Sequence, residues 1–218
     1  MHEFSIADLV KYSPLILSGL PATIGIALFA IILGGFIGFG AGLLRVVGNR
    51  FVKKMVVVYV EVIRGVPLLV ILYTIYFGIG TLVNIPRYPA AVIALGIFSG
   101  AYVAEIVRAA IQSIPRGQTE AGLSLGLNER QALRKIVLPQ AFKRMVPPLA
   151  GQFITLTKDS SLASIIAIPE LTLQTYSVIT VTFRAFQFWL TTAGIYFVLG
   201  WFLQRLSTWL ERRTHIID

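Results

Sequence analysis

Six charged residues stand inside otherwise apolar stretches of this sequence: Glu61 and Arg64, Glu105 and Arg108, and the adjacent Lys158 and Asp159. Three are acids and three are bases, so the set is neutral. A charge at bilayer depth costs roughly 2.5 kcal/mol or more unless it is paired or wetted. Glu61 with Arg64, and Glu105 with Arg108, are spaced three apart, which puts both members on one helix face. Two readings fit these pairs. They are self-neutralising ion pairs that hold helices together, with long side chains reaching toward water, or they line and brace a polar pathway. Lys158 and Asp159 lie farther from the basic segments and precede Ser160 and Ser161, which favours the pathway. Tyr102 joins Glu61, Arg64, Glu105, Lys158, Asp159 and Ser160 as a candidate pathway residue.

Covalent chemistry finds little support. The absence of cysteine excludes disulfides, thiolate metal sites and cysteine nucleophiles. Ser160, near Lys158 and Asp159, is the one candidate nucleophile for an intramembrane hydrolase, and no catalytic motif surrounds it. His2 and His215 sit at the two ends, and no ligand cluster suits a metal. No Gly-Lys pair occurs, so a phosphate-binding loop of the Walker A type is missing.

The elements that carry these charges follow from composition. Of 218 residues, 56% are hydrophobic and 13% charged, with a mean hydropathy of +0.79. A soluble domain carries about a quarter charged residues, so a soluble enzyme, a disordered chain and a fibrous repeat are excluded. A bilayer core about 30 Å thick needs about 20 mainly apolar residues in a helix. The expectation is a single all-α, polytopic membrane domain over 1–218 with five transmembrane helices, near 15–44, 55–83, 88–114, 139–160 and 186–206. The first is a retained span, because its apolar run is too long for a signal peptide and no basic segment precedes it. Leu162 to Thr182 is mixed, a short membrane-depth or interfacial piece. No internal repeat is visible, and five spans without inverted halves argue against the common secondary-carrier designs.

The chain has 19 Lys+Arg against 10 Asp+Glu. Basic residues concentrate in cytoplasmic loops. With the N-terminus out and the C-terminus in, thirteen bases fall inside: Arg45, Arg50, Lys53 and Lys54; Arg116, Arg130, Arg134, Lys135, Lys143 and Arg144; Arg205, Arg212 and Arg213. Only Lys11, Arg87 and Arg184 fall outside, where Glu3, Asp8 and Glu170 balance them. The excess charge is therefore an orientation signal, and nucleic acid is not needed to explain it. Gly34, Gly38 and Gly42, with Gly35 and Ala41 beside them, give the first span a face that lets another helix backbone approach closely. The sequence does not name that partner.

The polar stretch 115–139, between spans three and four, predicts a bent pair of short helices on the cytosolic side. Pro115 ends the third span, Thr119 to Leu125 forms a short helix, and Gly126 terminates it in a left-handed conformation. Asn128 caps a second helix with Gln131 at the capping-box position, and Pro139 marks the next break.

Glu120, Ala121, Gly122, Gly126, Ile136, Leu138 and Pro139 match the EAA loop pattern of ABC importer permeases at every spacing, with Gly122 where a second alanine is usual. Similar blocks lie at Glu61 to Leu69, Ala101 to Arg108, Ile114 to Gln118, Leu138 to Ala141, Pro147 to Leu149 and Lys158 to Leu162, where Ser160 replaces the usual threonine. The chain thus resembles the permease subunit of polar amino acid uptake ABC importers, the histidine/glutamine/arginine permease-like family, over nearly its whole length. The resemblance implies a type I importer fold in a bacterial cytoplasmic (inner) membrane. It implies a second permease subunit, identical or paralogous, and an extracytoplasmic solute-binding protein that delivers the amino acid. It further implies a cytosolic ABC ATPase dimer that binds ATP and Mg, with no cofactor on this chain, and a coupling helix at 115–139 that drives alternating access.

Overall fold

The computed structural model describes residues 4–213; His2, Glu3, His215 and Asp218 lie outside them. All regular structure among the described residues is helical. Helix α1 (Ile6–Leu17) is capped by the Ser5 hydroxyl, which accepts from the Asp8 N–H at 3.3 Å. It breaks at Ser18 and Gly19 and gives way to α2 (Leu20–Val47). Together they form one apolar stretch, Ile6–Val47, longer than the expected 15–44.

Asn49 caps α3 (Arg50–Gly65), accepting from the Val52 N–H at 2.9 Å. The stretch 55–83 is not one straight helix. Val66 is extended (φ −101°, ψ 133°), because the ring of Pro67 disfavours helical geometry in the residue before it. The chain restarts as α4 (Leu68–Tyr73), widens into a π-helical turn (Thr74–Ile79) and ends as α5 (Gly80–Val83), bent 104° from α3.

Next come α6 (Arg87–Gln112), α7 (Arg116–Ser124) and α8 (Glu129–Ala132). A π-helical turn (Leu133–Val137) leads from α8 straight into α9 (Leu138–Asp159). The break expected at Pro139 is absent. Pro139 sits in the first turn of α9, where a missing N–H costs little. The Gln140 side chain donates to the Ile136 carbonyl at 2.9 Å. A 3₁₀ segment (Ser160–Ile166), α10 (Leu171–Thr182) and α11 (Ala185–Arg213) complete the chain. Three of these segments are long and apolar enough to cross a membrane, or five if each bent pair, α3 with α4–α5 and α8–α9 with α10, counts as one.

The central core forms where α2, α4, α6 and α9 meet, around Ile26, Leu72, Leu95 and Leu156. Helices α2 and α6 make the most extensive contact in the molecule, and the glycine stripe is the reason. A Cβ built on Gly34 would lie 2.9 Å from the Gly96 carbonyl oxygen, one on Gly38 2.6 Å from that of Gly100, and one on Gly42 2.6 Å from that of Ala104. The partner of the small-residue face is α6. Gly35 has nothing within 4 Å and lies off that face.

A second core joins α1, α10 and α11 through Ile16, Leu171, Val178 and Phe188. Glu170, expected among the solvated outside charges, is 0% exposed at the junction of this core with α2. Its carboxylate caps α10, accepting from the Leu173 N–H at 2.8 Å and from the Tyr196 hydroxyl at 2.9 Å. The Leu171 N–H donates to the Thr23 hydroxyl of α2 at 3.2 Å. Gly19 presses against the Glu170 backbone, where a Cβ would come within 2.5 Å. Burial is tolerated because both carboxylate oxygens are hydrogen-bonded. Asp8 and Arg184, both expected outside, also meet, at 3.0 Å, and fasten α1 to the start of α11.

Candidate functional site

The polar residues of the loop sit on a pre-formed helix pair. Gly126 adopts φ +82°, the left-handed conformation that glycine reaches without steric penalty. The Gly126 N–H donates to the Leu123 carbonyl at 3.0 Å and the Leu127 N–H to the Gly122 carbonyl at 3.1 Å, which closes α7. The Asn128 side chain accepts from the Gln131 N–H at 3.0 Å, and the Gln131 side chain accepts from the Asn128 N–H at 2.9 Å. This reciprocal capping box satisfies two backbone donors that the helix start leaves free.

The seven residues of the loop pattern divide between two faces. Glu120, Ala121 and Gly126 are exposed. Gly122 is buried and faces inward, not toward a partner, against Ile136, Ala132 and Leu127. An alanine methyl there would sit 2.6 Å from Ile136 Cδ1, the end of a flexible side chain that can swing away. Ile136 therefore holds the pair together from the π turn, while Leu138 and Pro139 begin α9. Gln140 of α9 donates to the Gln118 side chain of α7 at 3.3 Å. Leu125, next to Gly126 at the turn, is 83% exposed; it lies outside the pattern. Composition offers only a weak cue for such a leucine, an apolar residue beside a left-handed turn.

The membrane-depth charges behave differently from one another. Glu105 forms ion pairs with both Arg108 and Arg45; the Arg108 Nε contact is 2.9 Å. Arg45 belongs to α2, so Glu105 ties α2 to α6. Sequence reasoning missed Arg45 because the partners lie sixty residues apart. The expected Glu61–Arg64 pair is not among the ion pairs of the described residues. Both side chains are exposed, and the Arg64 guanidinium instead stacks on the Tyr102 ring, 4.9 Å from its centroid. Such a contact contributes about 0.5–1 kcal/mol at an exposed site. It brings two candidate pathway residues together from α3 and α6.

Lys158 and Asp159 end α9. Neither has an ion-pair partner within the described residues, and Lys158 is exposed beside Gly200 of α11. Ser160 is buried and donates to the Thr157 carbonyl at 2.8 Å. A hydroxyl committed to its own backbone, with no base beside it, is a helix-end residue and not an activated nucleophile.

The binding-protein-dependent transport system inner membrane component family matches residues 34–216. The chain is 39% identical over 207 residues to the glutamine transport system permease protein GlnP of Escherichia coli K12, covering 94% of each chain. It is 33% identical over 213 residues to the glutamate/aspartate import permease protein GltJ of the same strain, covering 91% of this chain and 87% of that one. Among solved structures, it matches a chain of an amino acid ABC transporter with histidines at TM-score 0.91 and 40% identity, over 98% and 99% of the two chains. A chain of the inward-facing MetNI methionine ABC transporter shares the fold at TM-score 0.78 and 22% identity, over 94% and 97%.

Proposed function

The chain belongs to the binding-protein-dependent transport system inner membrane components, and from that premise we propose that it is the permease subunit of an ATP-driven ABC importer for polar amino acids. Its type I ABC permease fold is shared with the amino acid transporter it matches nearly end to end. It forms half of a translocation pathway in a bacterial cytoplasmic membrane, with the N-terminus outside and the C-terminus inside. A second permease subunit supplies the other half. An extracytoplasmic solute-binding protein delivers the amino acid. ATP and Mg are bound by a separate cytosolic ATPase dimer, and this chain carries no catalytic residue.

One observation carries the coupling role. The α7–α8 pair is closed at Gly126 and capped at Asn128, and it presents Glu120, Ala121 and Leu125 outward as exposed side chains. Such a surface suits the groove of a partner protein: an apolar anchor beside a charge, on small residues that permit close approach. Closure of the ATPases on ATP moves the pair, and the spans exchange inward for outward access as a two-state element. Purification in mild detergent with the ATPase tests this. A stable complex whose ATP hydrolysis rises with loaded binding protein is expected; transport by this chain without any ATPase would sink the reading.

Glu105, bound by two arginines, braces α2 against α6. Asp159, with no ion-pair partner among the described residues, faces the pathway together with Lys158, Glu61 and the Arg64–Tyr102 stack, while the buried Ser160 holds the end of α9 beneath them. Asp159→Asn should therefore lower uptake at least about fivefold or change substrate preference, an effect of about 1 kcal/mol. Arg87→Ala, which removes a 3.2 Å hydrogen bond to the Ala167 carbonyl, should do less. Equal uptake and equal preference in the two variants would remove Asp159 from the pathway.

A further inference from the structure

The helix pair has few attachments to the bundle. Helix α7 packs chiefly on α8 and the π turn. Between the pair and the ends of α2 and α6 lies an open cleft of about 560 Å³, walled by Val46, Ile111 and Val137. Motion of the pair therefore passes into α9, which follows α8 and the π turn without an intervening loop and carries Pro147 and Pro148 inside it. About 30 helical residues span about 45 Å, enough to reach from the pair to Lys158 and Asp159.

One side chain joins this rod to the end of α6. The Arg144 Nη1 donates to the Ser113 carbonyl oxygen at 2.7 Å and to its hydroxyl oxygen at 3.0 Å. Ser113 is the C-cap of α6, and its hydroxyl donates onward to the Ala110 carbonyl at 2.8 Å. The last carbonyls of a helix lack partners and carry the negative end of its dipole. A cation there forms a charge-assisted bond. Apart from it, the described contact between the end of α6 and the segment that begins α9 is the apolar packing of Ala110, Ile111 and Ile114 with Val137, Ala141 and Met145, which carries no directional bond.

We propose that Arg144 is a positioning residue that locks the end of α6 to α9, so that displacement of the coupling pair moves both helices together. The inference rests on the coupling role assigned above. With the lock, a push on the pair tilts α6 and α9 as one body, carrying Tyr102 and Asp159 with it. Without the lock, α9 slides on α6 and ATP is hydrolysed unproductively.

The test uses the transporter assembled with its ATPase and binding protein in liposomes, with radiolabelled glutamine, glutamate and histidine as probes. Arg144→Met should retain the ATPase subunit and keep basal hydrolysis within about twofold, while maximal uptake falls about tenfold and the half-saturating amino acid concentration is unchanged. Arg144→Lys, which keeps a cation near the Ser113 carbonyl, should recover a large part of that loss. The chain has no cysteine, so a Ser113→Cys, Arg144→Cys double variant offers a second route. A short bis-methanethiosulfonate, which joins the two cysteines through disulfides and releases sulfinate, should restore uptake per ATP, and a thiol reductant, which cleaves those disulfides, should abolish it again. Wild-type uptake per ATP in Arg144→Met, or in the reduced double variant, would overturn the lock. Failure of the wild-type chain to bind any ATPase would instead overturn the coupling reading on which it rests.

Discussion

Gly38→Leu should prevent the protein from assembling its central bundle, whereas Gly35→Ala, three residues away, should leave stability unchanged or slightly raised. The two glycines share a helix and a composition, and they differ in what lies opposite. A Cβ on Gly38 would meet Val103 Cβ at 2.5 Å and the Gly100 carbonyl oxygen at 2.6 Å. The carbonyl belongs to the α6 backbone and cannot rotate away, so the helices must separate. Separation along the most extensive contact in the molecule also pulls Gly34 away from Gly96 and Gly42 away from Ala104, and their close packing is lost. Overpacking a well-filled core costs about 1–3 kcal/mol per site. Replacing helical glycine by another residue returns at most about 1 kcal/mol of propensity. The cost therefore exceeds the gain even for Gly38→Ala, and leucine adds three more heavy atoms to the clash. Gly35, with nothing within 4 Å, keeps only the gain. Thermal unfolding and size-exclusion profiles in detergent decide it. A monodisperse Gly38→Leu protein with wild-type thermal stability would show that α2 and α6 do not depend on this contact.

What the sequence revealed and what it hid divide along a physical line. Signals confined to a few consecutive residues were readable: Gly126 as a left-handed stop, Asn128 and Gln131 as reciprocal caps, the glycine stripe as a packing face. Each follows from backbone sterics or from helix periodicity. The partner of the stripe was not readable, because which helix covers it depends on how the whole chain returns on itself. The same holds for Arg45 and Glu105, and for Arg64, whose pairing with Glu61 was the nearest choice along the chain while Tyr102 was the nearest in space. Glu170 looked like a solvated charge between apolar runs. In the fold it is a helix cap buried by α1 and α11, and only the Pro169-Glu170 pair ahead of a helical run hinted at that. The expected spans ran straight through Pro67 and broke at Pro139, the reverse of the fold. Pro67 bends its stretch because Val66 was helical territory that a following proline denies. Pro139 does not, because it falls in the first turn of α9, after the π turn.

Glu120→Lys and Gly126→Trp should each abolish transport while leaving the spans folded, for two unrelated reasons. Glu120 is exposed, and among the described residues its side chain has no ion pair; its carbonyl accepts from the Ser124 hydroxyl at 3.0 Å. Reversing its charge disturbs nothing inside the chain. Any loss of function must then arise at the partner, where placing a like charge opposite a group that pairs with Glu120 costs several kcal/mol. Gly126 has open space around it but a φ of +82°. A tryptophan must either bear the left-handed penalty of about 1–2 kcal/mol or unwind the turn between α7 and α8. Either way a bulky ring stands beside Leu125 on the outward tip. Gly126→Asn separates strain from bulk, since asparagine tolerates this conformation, and it should retain most of the activity. The expected readings are uptake at least about tenfold lower in both severe variants, equivalent to about 1.4 kcal/mol or more of lost coupling, with unchanged thermal stability for Glu120→Lys and a modest loss, the spans still folded, for Gly126→Trp. Co-purification of the ATPase should fall with Glu120→Lys. If both variants take up amino acid and stimulate ATP hydrolysis like wild type, α7 and its turn are a linker, and the exposed Leu125 has no partner to meet.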